Sequence, residues 1–307
     1  MLSLLKKVLD ATTTPLPAEL RAQLAEDAQV NSAGYDPWGL HVETAERTLR
    51  SCRWLYERYF RVKTHGIEHV PAGRVMLVPN HSGQLPLDGM FVAMAMIFDA
   101  HPPRIVRGMV ERWFPSLPFI STLFVRCGQT VGDPRNCVRL LERDQAILVF
   151  PEGVRGSGKT YWHRYELQRF GTGFVRIALE TKTPIVPVAV VGAEETYPSI
   201  YNVEWLARLL QIPYVPVTPF WPLLGPLGAV PLPVQIDLHF GEPLRFEGDA
   251  DAPDHEVQGM VEQVKGSINA MLARGLAARP GLSALKLLPG GGPLLTGPAP
   301  AGEEGAA

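Results

Sequence analysis

Residues 75–98 read VMLVPNHSGQLPLDGMFVAMAMIF. The stretch opens on a short apolar run, 75–78, bounded by Gly73 and Pro79, which predicts a buried strand. It closes on an apolar helix over 86–98 that starts at Pro86, a favoured first-turn residue. A polar turn with Asn80, His81, Ser82 and Gly83 joins them. Strand–loop–helix units of this kind build layered α/β domains, whose ligands bind in loops at strand ends.

Outward from this unit the alternation continues. Further strands are expected at 105–106, 146–150, 185–191 and 234–240. Helical patterns fall at 42–59, 133–143, 174–180 and 255–272, with Asp133 and Pro134 as cap and first-turn pair for the second. The expected fold class is α/β: one domain over 41–275 with a mixed or partly parallel sheet flanked by helices. Residues 1–40 are expected to form a Pro- and Ala-rich lead-in, ill-defined over 14–40. Its first residues place Leu2, Leu5, Val8 and Leu9 on one face of a short amphipathic helix. Packing on the domain is the favoured fate of that helix, with an interfacial anchor the alternative. Residues 276–307, Gly- and Pro-rich, are expected to be disordered.

Composition excludes several function classes. A chain 46% hydrophobic and 20% charged is ordinarily globular, and a net charge of −2 gives no basic footprint for nucleic acid. Cys52, Cys127 and Cys137 are too few and too scattered for a disulfide framework or a zinc site. No secretory pattern opens the chain, and no apolar run approaches the roughly 20 residues of a spanning helix. A cytoplasmic protein is expected.

Two strand-end loops carry candidate chemistry. In the first, His81 and Asp88 bracket the turn. A carboxylate that fixes one imidazole nitrogen leaves the other free to accept a proton. The plainer alternative is a capping loop, with Asp88 at a helix N-terminus. In the second, FPEGVR over 150–155, Gly153 permits a tight turn and Arg155 can meet a phosphate bidentately. Overlapping it, GVRGSGKT over 153–160 satisfies the P-loop pattern and follows a strand. A P-loop requires a helix to begin at its lysine. The continuation YWHRYELQRFGTG, with Gly171 and Gly173, leaves room for only a short one. A P-loop NTPase is therefore the alternative reading, and Lys159→Ala is expected to leave the main activity largely intact.

Taken as an ordered pair, NHSG with PLD and then FPEG-x-R resembles the glycerolipid acyltransferase family, which includes lysophosphatidate acyltransferases. FVRCGQTVGD, with Arg126, occupies the place of that family's second motif, and PIVPVAVVG over 184–192 resembles its fourth. The arrangement is most similar to the branch that resembles monoacylglycerol and diacylglycerol acyltransferases, and the likeness covers about 41–275. It implies an acyltransferase that moves a fatty acyl group from acyl-CoA to a hydroxyl of a glycerol-type lipid, in phospholipid biosynthesis or a neighbouring branch of lipid metabolism. His81 would be the general base and Asp88 its orienter. Glu152, Gly153 and Arg155 would shape the acceptor site, with Arg126 a second anion contact. No metal or resident cofactor is implied; acyl-CoA is a co-substrate. A non-catalytic lipid-binding relative is a further alternative.

Two departures stand out. The common family motif has four residues between His and Asp; this chain has six. Seven helical positions rise about 10 Å, so the turn must bulge, which Gly83 and Pro86 permit. Val154 also stands where the family often has Thr.

Residues 211–234, QIPYVPVTPFWPLLGPLGAVPLPV, are apolar and aromatic but hold seven prolines. A proline-broken segment cannot span a bilayer as a helix. Tyr214, Phe220 and Trp221 suit a membrane interface, so monotopic, peripheral contact is expected in preference to a loop that merely covers the core.

Overall fold

The computed structural model describes residues 16, 18–82, 85–112, 114, 119–210 and 214–279. The amphipathic reading of residues 2–9 lies outside them, as does the Pro/Gly-rich tail from residue 280 on. In chain order the elements are α1 (Ala18–Ala28), α2 (Val42–Trp54), β1 (Lys63–His65), β2 (Val75–Pro79), α3 (Leu87–Phe98), β3 (Val106–Val110), α4 (Ile120–Arg126), β4 (Thr130–Val131), α5 (Pro134–Leu141), β5 (Ala146–Leu148), α6 (Val154–Ser157), α7 (Gly173–Thr181), β6 (Ile185–Val191), α8 (Ala193–Thr196), β7 (Tyr201–Asn202), α9 (Glu204–Leu210), β8 (Pro216–Val217), β9 (Asp237–Phe240) and α10 (Asp254–Ala277).

The main sheet runs β1-β9-β6-β2-β5-β3-β4. Every neighbouring pair is parallel except β6 with β9. β7 and β8 form a separate antiparallel pair. The central strands β2, β5 and β6 are buried at every residue, as strands covered on both faces must be. Strand periodicity sorts their side chains into two cores. Met76, Val78, Ile147 and Ile185 join Leu140, Val175 and the buried stripe of α10. Val75, Leu77, Leu148 and Val186 face the other way, onto Phe91, Val92 and Ala95 of α3. The result is a mixed sheet with helices on both faces.

In α10 that stripe is Val257, Val261, Val264, Ile268, Met271 and Leu272, the spacing of a single helix face. Asp133 caps α5, accepting from Arg135 N at 3.0 Å, with Pro134 in the first turn.

The reading of 14–40 as ill-defined is corrected. Residues 18–28 form α1, and Leu16, Leu24, Ala28 and Leu40 bury themselves with Ile97 and Ile105 in a third apolar cluster. Tertiary burial supplies what a weakly patterned Ala- and Glu-rich segment does not signal by itself.

Candidate active site

The sheet register brings the two strand-end loops together. Val75, Met76 and Leu77 pair with Ala146, Ile147 and Leu148, a constant offset of 71 residues. Carried past the strand ends, that offset sets His81 level with Glu152. The two are in contact: His81 N donates to Glu152 Oε1 at 2.8 Å. On the other flank of β2, the buried Asn80 side chain donates to the Val190 carbonyl at 3.2 Å and accepts from Val190 N at 2.7 Å. One amide thus makes both bonds that a peptide unit would make, while the main chain of β2 turns away. The loops after β2 and β5 and the end of β6 therefore meet at one edge of the sheet.

Asp88 reaches His81 despite the six intervening residues. Its Oδ2 lies 2.6 Å from His81 Nδ1 and accepts from Ser82 N at 2.8 Å; Oδ1 accepts from Gly89 N at 2.7 Å. Asp88 stands in the first turn of α3 and also contacts the ring. Asp88 is fully buried, while the His81 side chain keeps 16% of its surface exposed. The partner is sealed off and the ring stays partly exposed. Among the described residues none hydrogen-bonds Nε2. Phe150 backs the ring, with centroids 4.2 Å apart.

Electrostatics follow from this cage. Burial alone would lower the His81 pKa, but the Asp88 charge and its hydrogen bond, then the Glu152 charge, outweigh it. Lys159 opposes them, and the net direction is upward from the ordinary value.

The resemblance put Glu152 in the acceptor site, yet the geometry gives both its oxygens to backbone donors: Oε1 to His81 N, Oε2 to Gln168 N at 2.8 Å. It is a brace between loops. Gly153 opens α6 at φ 56°, ψ −151°, where a side chain would be strained and would meet Glu111 Oε1 at 2.9 Å. Arg155, on α6, is exposed. Arg126 is also exposed, at the end of α4, where its carbonyl accepts from His41 N. No hydrogen bond or ion pair among the described residues ties Arg126 to His81 or Glu152.

The P-loop pattern does not become a P-loop. α6 ends at Ser157, and one 3-10 turn, Tyr161–His163, follows. No helix begins at Lys159, whose ammonium lies 3.0 Å from Glu194 Oε1 and 3.9 Å from Glu152 Oε2.

Sequence reasoning did not single out Gly156, Gln168, Glu194 or the clasp made by Asn80. A Cβ on Gly156 would lie 2.7 Å from the Cβ atoms of both His81 and Glu152, so only glycine lets these loops close. The second glycine of GVRG was the available signal.

Several known proteins resemble this chain. The Acyltransferase family model matches residues 61–191, which include every residue of the His81–Asp88–Glu152 cluster. An uncharacterized protein of Mycobacterium leprae is 41% identical over 268 residues, 85% of this chain and 71% of its own. A Homo sapiens protein described as a DGAT1/2-independent enzyme synthesizing storage lipids is 24% identical over 216 residues, 68% of this chain and 60% of its own. The 1-acyl-sn-glycerophosphate acyltransferase PlsC of Thermotoga maritima has a TM-score of 0.49 and 16% identity, covering 89% of this chain and 88% of that one. The class defined is an acyltransferase. Within that class, the chain belongs to the glycerolipid acyltransferase family.

Proposed function

We propose that the protein transfers a fatty acyl group from acyl-CoA to a hydroxyl of a glycerol-type lipid, with His81 as general base. The observation that carries the reading is the His81 Nδ1–Asp88 Oδ2 contact of 2.6 Å, on a ring that stays partly exposed and whose Nε2 has no hydrogen bond among the described residues. Asp88 fixes the tautomer with a proton on Nδ1 and stabilises the imidazolium that forms. Nε2 takes the proton of the acceptor hydroxyl as its oxygen attacks the thioester carbonyl carbon. The carbon–sulfur bond breaks, and the departing thiolate recovers the proton from His81. The thioester is already activated, so positioning and one proton relay remain for the protein to supply. Arg155 and Arg126 serve as anion contacts for a phosphate-bearing acceptor.

Access to a lipid acceptor points to peripheral contact with a bilayer on the cytoplasmic side. No helix among the described residues is long and apolar enough to cross a membrane. Phe220, Leu223, Leu224, Leu227 and Val230 of the proline-rich segment are exposed. That segment meets the loop that carries Lys159: Pro216 pairs with Asn202 of β7, whose side chain donates to the Gly158 carbonyl at 2.6 Å, and a Cβ on Gly158 would lie 3.2 Å from the Tyr214 ring.

The test is incubation of purified protein with labelled acyl thioesters, on CoA and on a carrier protein, against lysophosphatidate, other lysolipids and neutral glycerides on liposomes. Transfer from acyl-CoA to one acceptor class is the expected result. Liposome binding without thioester consumption would instead support a lipid-binding protein, and transfer from the carrier protein alone would replace the donor.

A further inference from the structure

Lys159 is a buried cation at the edge of the site, its side chain 5% exposed. Beyond its contacts with Glu194 and Glu152, its ammonium donates to the Glu166 carbonyl at 3.1 Å. The two carboxylates come from different strands. Glu152 follows β5, and Glu194 stands in α8 directly after β6. Burial raises the Glu194 pKa to about 7, against the pull of Lys159 and of the Tyr165 N–H, with Glu152 adding to the rise. The cluster therefore gathers two buried acids around one base, and one of those acids holds the main chain of His81.

Glu152 uses both oxygens as acceptors, from His81 N and from Gln168 N. Only the ionised carboxylate offers two acceptor oxygens without a competing O–H. Its side chain is fully buried, and among the described residues Lys159 is the cation beside it. A buried carboxylate deprived of its counter-ion is costly and tends to rearrange. Rearrangement of Glu152 would release the His81 backbone, and with it the alignment of the ring on Asp88.

We propose that Lys159 is a positioning residue for acyl transfer: its ammonium holds Glu152, and through Glu152 the main chain of His81. This rests on the reading of His81 as the base. The charged groups facing His81 are Asp88 from α3, Glu152 from the loop after β5, and Lys159. Removal of the ammonium takes away the positive charge that holds the His81 pKa down, so the ring should titrate at higher pH. A base must be neutral to accept a proton, so the acid limb of kcat/KM moves upward with it. Lys159 would then not be dispensable, contrary to the expectation from its broken P-loop pattern.

The experiment compares wild type, Lys159→Met, Lys159→Arg and the double variant Lys159→Met with Glu194→Gln. It reads melting temperature, kcat and KM against pH, and the NMR titration of the His81 ring, assigned by its loss in His81→Ala. Lys159→Met should lower kcat by about 10²-fold, the scale of an ångström misplacement, with little change in KM. It should also raise the pH at which His81 titrates. Lys159→Arg should recover much of kcat. The double variant removes one buried acid with the base; it should regain stability and remain slow. Recovery of both stability and kcat in the double variant would mean that Lys159 merely neutralises Glu194, and the proposal fails. It fails too if Lys159→Met leaves kcat and the His81 titration unchanged. Should Lys159→Met not fold, the double variant decides alone. If His81→Ala retains turnover, the base reading falls, while the NMR titration still tests the Lys159–His81 link.

Discussion

The loops that leave β2 and β5 lie side by side at one sheet edge, and each presents a basic side chain. They use it in opposite ways. His81 has one nitrogen clamped by a fully buried carboxylate and stays partly exposed. Lys159 is turned inward onto Glu152 and Glu194. The lesson is that a titratable group at a strand end becomes chemistry when its partners leave one face unspent. When they enclose it, it becomes structure, and it acts only through what it holds.

The sharpest attack on this contrast is His81→Ala. Turnover should fall about 10²–10⁴-fold, the usual cost of losing a general base, with circular dichroism and melting little changed. A folded variant that retains more than about a tenth of wild-type turnover would place the base elsewhere.

Asp88→Asn should cost less, because an amide can still hold the ring while failing to stabilise the imidazolium. Its signature lies in pH. In the wild type the His81 pKa is raised, chiefly by Asp88 acting against burial, so the acid limb of kcat/KM should sit above the ordinary histidine value of about 6.5. Loss of the carboxylate lowers that pKa, and the limb should move to lower pH. A limb that stays in place would detach Asp88 from the base.

Gly156→Ala tests the closure between the loops. Its new Cβ would lie 2.7 Å from both His81 and Glu152, so one loop must give way. A stability loss of about 1–3 kcal/mol by urea denaturation is expected, with a drop in kcat. Unchanged stability would show that the loops have slack, and the brace through Glu152 would lose its meaning.

The smallest effect belongs to Arg155→Ala. The side chain is exposed, so melting should hardly change. Use of a phosphate-bearing acceptor should fall about tenfold, the low end for a charge-assisted bond at an exposed site, and use of a neutral glyceride should not. Equal small effects on both acceptors would make Arg155 an ordinary surface residue.

The legible part of this molecule was its centre. Strands such as VMLVP and IVPVAVV are buried on both faces, and a continuous apolar run records that directly. The short pieces were not legible. β1, β4 and β7 are two or three residues long and owe their strand character to neighbours. At the site, the candidate pair His81 and Asp88 could be named, but the distance between them could not, because it depends on how a Gly- and Pro-containing turn bends. Lys159 shows the reverse: its letters fit a phosphate motif, but Glu194 from the end of another strand, invisible in local sequence, joins Glu152 of its own loop in enclosing it.

The Asn80 clasp has a consequence for the length of the turn it precedes. Chain entry is fixed where Asn80 joins Val190, and the exit is fixed where Asp88 holds Ser82 N and His81 Nδ1. With both ends held, the number of residues between them enters chiefly through loop-closure entropy. Going from four intervening residues to six costs roughly 0.4 kcal/mol. So small a cost would let the interval between His81 and Asp88 vary with little loss of stability, so that the turn could change length while the contact between the two side chains stays where it is.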